Sequence, residues 1–344
     1  MSDLLETPMS RRHVLQAATA SALTIAPVLS AAVYAQGSDK PEKEEVKIGF
    51  IPLTDCASVV MASVLGIDKK YGVKIIPTKE SSWAGVRDKL VNGELDFAHA
   101  LYGLIYGVHM GTAGPKKDMA VLMNLNQNGQ AITLSKKLAD KGAVDAASLA
   151  KLMATDKREY TFAQTFPTGT HAMWLYYWLA SVGVNPLKDA KVITVPPPQM
   201  VANMRVGNMD GYCVGEPWGH RAIIDGIGVT AMTTQDIWKD HPEKVLGTTS
   251  EFVKKYPVET KKFVTAYAKG IALVRSNAAE ARQYLKGYTA IEGALTAEVP
   301  LAAYTLYNEF TAKDIAHFQK FFDLFSDKGI FPSRLMVDSM LYKG

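Results

Sequence analysis

Two rhythms of apolar and polar positions alternate along this chain, and they run through the same order twice. In the first pass a largely apolar strand over Val46–Leu53 leads into Thr54-Asp55-Cys56, which opens a helix reaching about Tyr71, and a second strand follows at Val73–Pro77. A helix then starts near Trp83, with Val86 and Leu90 on one face; Gly93 ends it, and Leu95-Asp96-Phe97-Ala98 begins a third strand. In the second pass a strand over Tyr160–Phe166 leads into Thr168-Gly169-Thr170-His171 and a strongly apolar helix to about Val182, closed by Gly183 and the turn Asn185-Pro186. A strand at Lys191–Val195, a helix from about Gln199 to Arg205, Gly207 and a strand from Met209-Asp210-Gly211-Tyr212 complete it. Leu90-x-x-Gly93-x-Leu95-Asp96 therefore matches Met204-x-x-Gly207-x-Met209-Asp210: helix, glycine stop, turn carboxylate, strand.

Strands alternating with helices at this spacing predict parallel βαβ units with right-handed crossovers, and two such passes predict two α/β lobes, each a mostly parallel sheet flanked by helices. From Ile223 onward the pattern turns mostly helical, at Gln235–Trp238, Val258–Asn277 and Ala312–Leu324. The middle helix carries Phe263, Tyr267 and Ile271 on one stripe, so these helices should pack on the first lobe and brace the hinge. The glycine-preceded strand Asn128–Leu134 is expected to pass from the first lobe to the second, and Cys213–Trp218 to return. Lobe one is then 47–132 plus 215–344 and lobe two 133–214, behind a charged, flexible leader at 36–46.

Composition narrows the function classes. A net charge of +4, with the basic residues scattered, suits a small anionic ligand and gives no footprint for nucleic acid. Two cysteines, Cys56 and Cys213, are too few for a disulfide scaffold and lie in apolar settings, as buried thiols do. The histidines form no metal-ligand pair, and neither a GxxxxGK[ST] nor a GxGxxG run is present, so no metal or cofactor is implied.

The first 35 residues read as an export signal rather than as fold. Arg11-Arg12 precede an uncharged, alanine-rich run from Ala17 to Tyr34, which ends in Val33-Tyr34-Ala35, small at the two positions a signal peptidase reads. The run contains Pro27 and is short of the ~20 strongly apolar residues that span a bilayer. Export by the twin-arginine route with cleavage near Ala35 would release the protein, free of a lipid anchor, into the periplasm.

In open α/β sheets ligands gather beyond the carboxyl ends of the strands. Both passes place polar residues there, Thr54 and Asp55 in the first and Thr168 to His171 in the second. Thr168 or Thr170 is the expected N-cap of a helix whose free N–H groups and positive dipole end would favour an anion. Gln130 would carry a neutral amide into the interlobe gap, and Gly215 would let backbone approach a ligand closely.

Several segments stand in the order of one family: Ile48–Cys56, Glu80–Ala84, Arg87–Leu90, Asn128–Thr133, Gly169-Thr170-His171, Pro198–Met204, Gly215–Trp218 and His241–Gly247. Together they resemble the nitrate/nitrite- and bicarbonate-binding proteins of ABC transporters, over about Lys47 to Gly247. The resemblance implies a two-lobed binding protein of the type II solute-binding fold, monomeric, which closes on its ligand and docks on a permease with its ATPase. The family's site residues fall on Trp83, Gln130, His171, Gly215 and Lys244, with Thr54 and Thr170 as further candidates. Lys244 separates the branches, because the bicarbonate branch is typically acidic there and uses a calcium ion. The chemistry agrees with that choice. Nitrate is a permanent monoanion that only accepts hydrogen bonds, so its site should supply donors and a cation, Lys244, and no carboxylate. Nitrite would be held by the same donors.

Taken singly these residues have plainer readings: Trp83 as core, His171 as a structural partner at a helix start, Lys244 as a solvated charge in Lys239–Lys244. Only the joint pattern reverses them. An enzyme resembling the thiamine-pyrimidine synthases would need a nucleophile or an acid–base pair, and none stands out. A cytoplasmic nitrate sensor is opposed by the export signal, and a sulfonate binder by the density of the match.

Overall fold

A computed structural model of the protein describes residues 40–277 and, farther along, 279, 281, 316, 319, 320, 323, 326, 327 and 337–341. The export signal lies outside the described residues, as does most of the Ala312–Leu324 helix.

Two five-stranded sheets organise the described residues. The first contains β1 (Glu45–Phe50), β2 (Lys74–Lys79), β3 (Phe97–Leu101), β4 (Met119–Gln127) and β10 (Pro242–Thr249), in the order β2-β1-β3-β10-β4. The second contains β5 (Gln130–Ser135), β6 (Thr161–Gln164), β7 (Lys191–Thr194), β8 (Gly211–Gly215) and β9 (Gly228–Thr233), in the order β7-β6-β8-β5-β9. β1 runs parallel to β2 and β3, while β10 is antiparallel to β3 and β4. The second sheet repeats this, with β6 parallel to β7 and β8, and β5 antiparallel to β8 and β9. In each sheet the antiparallel member is the strand that has just arrived from the other lobe.

The predicted repeat has a physical basis at its turns. Gly93 and Gly207 both take left-handed backbone, at φ 77° and 84°, where a side chain would be strained. The carboxylates that follow do the same work. Asp96 accepts the Lys47 N–H at 2.8 Å and pairs with Lys43, and Asp210 accepts the Thr161 N–H at 2.9 Å and pairs with Arg158. Each ties a turn to the first residues of a neighbouring parallel strand.

Helices α1 (Ala57–Val64), α2 (Trp83–Val91) and α3 (Tyr102–Met110) flank the first sheet, and α4 (Ala146–Thr155), α5 (Thr170–Ala180), α6 (Met200–Arg205) and α7 (Trp218–Ile224) the second. The long C-terminal helix α8 (Pro257–Ser276) lies on the first lobe, as its apolar stripe predicts. Phe263 stacks on Phe97 at 4.0 Å, and Gly270 meets α1 so closely that a Cβ there would stand 2.8 Å from that of Ala62.

Two boundaries differ from expectation. The return passage is not Cys213–Trp218: after β8 the chain adds β9 to the second sheet beside β5, and it re-enters the first sheet only at Pro242. The second lobe thus runs from β5 through β9. The sequence signal misled because Gly215-Glu216-Pro217 punctuates the chain as a crossing would. The leader also ends earlier, since Glu45 and Val46 pair with Lys74 and Ile75 in β1.

The true crossings share a feature. Asn128 and Asp240 are, among the described residues, the only non-glycine residues at positive φ, both at 58°. They stand one at each crossing, and the Asn128 N–H donates to the His241 carbonyl at 3.0 Å, joining the two passages side by side.

Candidate functional site

The crossing strands deliver side chains to the gap as soon as they enter it. Gln130 is the first residue of β5, and Glu243 and Lys244 are the second and third of β10. Neighbours on a regular strand face opposite sides. β10 is irregular here, with register shifts on both sides of Lys244, so Glu243 and Lys244 meet: Glu243 Oε1 lies 2.5 Å from Lys244 Nζ. Lys244 also reaches Asp55 Oδ2 at 2.7 Å and lies 5.6 Å from the centroid of the Trp83 ring. Trp83 opens α2, which Ser82 caps by accepting the Gly85 N–H at 3.1 Å.

From the second lobe comes His171, at the second position of α5. Its Nε2 lies 3.5 Å from Glu243 Oε1 and its Nδ1 2.5 Å from the Thr165 hydroxyl. Gly215 ends β8 opposite Gln130, and a Cβ there would stand 3.6 Å from His171 Nε2 and 3.3 Å from Leu53 Cδ1. Glu216 N–H bonds to Gly129, so the alternation of an antiparallel ladder turns the Gly215 N–H away from β5. Trp83, Lys244, Glu243, His171, Gly215 and Gln130 thus form one connected group, drawn from both lobes and buried.

Most of this group is unsatisfied. Trp83 Nε1, both amide atoms of Gln130, His171 Nε2 and Asp55 Oδ1 are buried without a hydrogen-bond partner in the chain, while the Thr170 hydroxyl lies against the Glu243 carboxylate. A buried polar group left unpaired costs about 1–3 kcal/mol. A bound polar ligand between the lobes would supply the partners.

The charges are set by burial. His171 is held well below the usual histidine range, first by desolvation and then by Lys244 and His241, so its ring is neutral. We assign its proton to Nε2, because the Thr165 hydroxyl can donate to Nδ1. Burial likewise brings His99, 3.9 Å from Asp55, down to about 4. Burial pulls the Lys244 ammonium down, but Asp55 and Glu243 outweigh it and its pKa is raised. Burial pushes Glu243 up to about 7, with Lys244 opposing.

Two expectations change, on the helix cap and on the carboxylates. The N-cap of α5 is Gly169, with no side-chain cap. Thr168 instead donates its hydroxyl to the Gly103 carbonyl of the first lobe at 3.0 Å, and Thr170 is the first helical residue. Thr54 ties the lobes together, its N–H donating to the Glu216 carbonyl at 2.8 Å and its hydroxyl to the same oxygen at 3.3 Å. Finally, a site expected to hold no carboxylate contains two, Glu243 and Asp55. Both were visible in the sequence beside Lys244 and Thr54, but nothing local distinguishes a buried carboxylate from a solvated one.

Among the described residues no helix is long and apolar enough to cross a membrane, and no cluster of three metal-ligating side chains occurs. The chain is 42% identical over 241 residues to the nitrate/nitrite binding protein NrtA of Synechocystis sp., covering 67% of this chain and 53% of that protein. It is 30% identical over 237 residues to the bicarbonate-binding protein CmpA of Synechococcus elongatus, covering 66% of this chain and 53% of that protein. The chain therefore spans about half the length of the curated relatives it matches. The crystal structure of the periplasmic nitrate-binding protein NrtA from Synechocystis PCC 6803 superposes with a TM-score of 0.78 at 33% identity, over 88% of this chain and 87% of that one. The two lobes, the strand order and this superposition place the fold among the two-lobed type II periplasmic binding proteins. Residues 39–286 match the NMT1-like family, and the chain belongs to that family.

Proposed function

We propose that this protein captures nitrate, and nitrite with it, in the periplasm and delivers it to the permease and ATPase of an ABC importer, without chemical conversion of the ligand. The observation that carries the reading is the buried group of unpartnered polar atoms around Lys244, shared between the lobes. Gln130 offers its amide N–H, His171 its Nε2–H, Trp83 its indole N–H and Gly215 its backbone N–H, and Lys244 supplies the positive charge that a desolvated anion needs. The greater identity to NrtA than to CmpA supports nitrate over bicarbonate.

Glu243 and Asp55 favour a second reading, because an ionised carboxylate accepts the O–H of bicarbonate, which nitrate lacks. Calorimetric titration of the purified protein with nitrate, nitrite and bicarbonate, each with and without calcium, separates the two. Tight, calcium-independent binding of nitrate supports the first reading; binding of bicarbonate alone, strengthened by calcium, replaces it. Ligand recovered unchanged after prolonged incubation supports a binding protein over an enzyme. Export by the twin-arginine route with cleavage near Ala35 belongs to the same reading, and N-terminal sequencing of the periplasmic protein tests it.

A further inference from the structure

We propose that anion capture at this site takes up one proton, held on Glu243, which changes from a repelling carboxylate into a hydrogen-bond donor to the ligand. The inference rests on the anion reading above. Its basis is the composition of the buried cluster: one ammonium, Lys244, lies between Asp55 Oδ2 at 2.7 Å and Glu243 Oε1 at 2.5 Å, all three side chains being buried. Two carboxylates against one ammonium leave one net negative charge. A monoanion entering there meets net repulsion in a region that water cannot screen. A proton on Glu243 leaves the cluster neutral and gives the anion one more donor.

The other groups around Glu243 do not supply that charge. From α5, His171 is neutral, held low by burial and by Lys244. From β3, His99 faces Asp55 and is held at about 4, and His241, at the foot of β10, is also at about 4. Tyr102 of α3 and Cys213 of β8 are both raised far above neutrality by burial, with Glu243 adding to the rise, so neither is an anion or a proton source. Among the described residues, Asp55 and Lys244 are the remaining ionisable groups in contact with the cluster. Glu243 is the member whose carboxylate faces the second lobe, with Oε1 3.5 Å from His171 Nε2 and the Thr170 hydroxyl against it. Its own proton affinity, raised by burial to about 7, puts the uptake within the ordinary pH range.

The test is nitrate calorimetry in buffers of different ionisation enthalpy, since nitrate itself does not titrate. Linkage for one such carboxylate gives uptake of about 0.9 proton per nitrate near pH 8 and about 0.1 near pH 6, with the dissociation constant rising about tenfold per pH unit above pH about 7. Glu243→Gln should abolish the uptake and flatten the pH dependence. Absence of buffer-dependent heat near pH 8 in the wild type overturns the proposal and leaves nitrate capture standing. Undiminished uptake in a folded Glu243→Gln protein also overturns it, by placing the proton elsewhere. If that variant does not fold by circular dichroism, the wild-type buffer series and pH slope decide alone. No nitrate binding at any pH overturns both this inference and the anion reading.

Discussion

Replacing Lys244 by methionine keeps an unbranched side chain of similar length and removes the one cation of the site. The ammonium is 2.7 Å from Asp55 and 2.5 Å from Glu243, so its loss leaves two carboxylates buried with no counter-ion. Breaking a buried pair from one side costs about 3–5 kcal/mol, and the thermal midpoint at neutral pH should fall accordingly. The ligand loses a comparable amount. An anion about 4 Å from the ammonium gains about 4 kcal/mol at an effective dielectric constant near 20, which at 1.4 kcal/mol per decade is roughly a thousandfold in affinity. Asp55→Asn is the opposite perturbation. It removes one of the two negative charges and leaves Lys244 in place, so nitrate should bind more tightly than to wild type near pH 8. Calorimetry on both variants, at a temperature where circular dichroism shows each folded, reads the effect. A folded Lys244→Met protein that binds nitrate within about tenfold of wild type would refute the argument, since the Coulomb figure allows no such retention.

The other predictions concern sterics and acid stability. Gly215→Ala places a methyl 3.3 Å from Leu53 Cδ1 and 3.6 Å from His171 Nε2, at a residue without positive φ. It should fold with a small loss of melting temperature, as the buried Leu53 yields by a few tenths of an ångström, and bind nitrate about tenfold more weakly, as calorimetry would show, because the methyl also takes ligand space. Gly103→Ala would put a Cβ 1.9 Å from the Thr168 carbonyl oxygen of the other lobe. The lobes could then meet only by shifting, so the ligand-induced decrease in radius of gyration by small-angle scattering should shrink and affinity fall. His99 is neutral when folded, at about 4 against 6.5 unfolded, so its stabilising contribution is present above pH 6.5 and is lost as pH falls toward 4. His99→Gln lacks that loss, and over this window its stability relative to wild type should rise by about 1.4 kcal/mol per pH unit of acidification, measured by denaturant titration.

The parts of this protein that could be read from the sequence are those fixed by local chemistry. Gly93 and Gly207 mark left-handed helix ends, and Asp96 and Asp210 mark turns whose carboxylate binds a neighbouring strand; both are visible as spaced residue types, and together they disclose the duplicated lobe. The apolar stripe of α8 likewise foretold its packing on the first lobe. The return crossing was not legible. β9 belongs to the second sheet only through its pairing with β5, a contact made across nearly a hundred residues that no local pattern encodes. Trp83, Gln130, His171, Gly215 and Lys244 are named as candidates by the family resemblance, and the structure brings them into one buried group. Glu243 was missed because strand alternation sends it away from Lys244. The irregularity of β10 brings it back, and irregularities of pairing are tertiary features.

That irregularity also bears on how capture and closure are joined. Both passages between the lobes bend at a residue of positive φ, Asn128 and Asp240, the residue types that, after glycine, tolerate this backbone most readily. Two residues after the first bend stands Gln130, and a few after the second stand Glu243 and Lys244. The polar groups that face the gap are therefore mounted on the segments that must twist when the lobes part, not on distant loops. His241 fastens the second passage from within, its ring nitrogens 2.9 Å from the Pro242 carbonyl and 2.8 Å from the Thr234 hydroxyl. Separating the lobes by rotation about these bends would carry Gln130 and His171 with one sheet and Trp83, Glu243 and Lys244 with the other. A ligand bonded to both sets has its partners only in the closed arrangement, so its differential affinity for that arrangement is the free energy available to shut the gap. A protein in which that affinity also depends on a proton at Glu243 would close on the same anion less readily as the surroundings become alkaline.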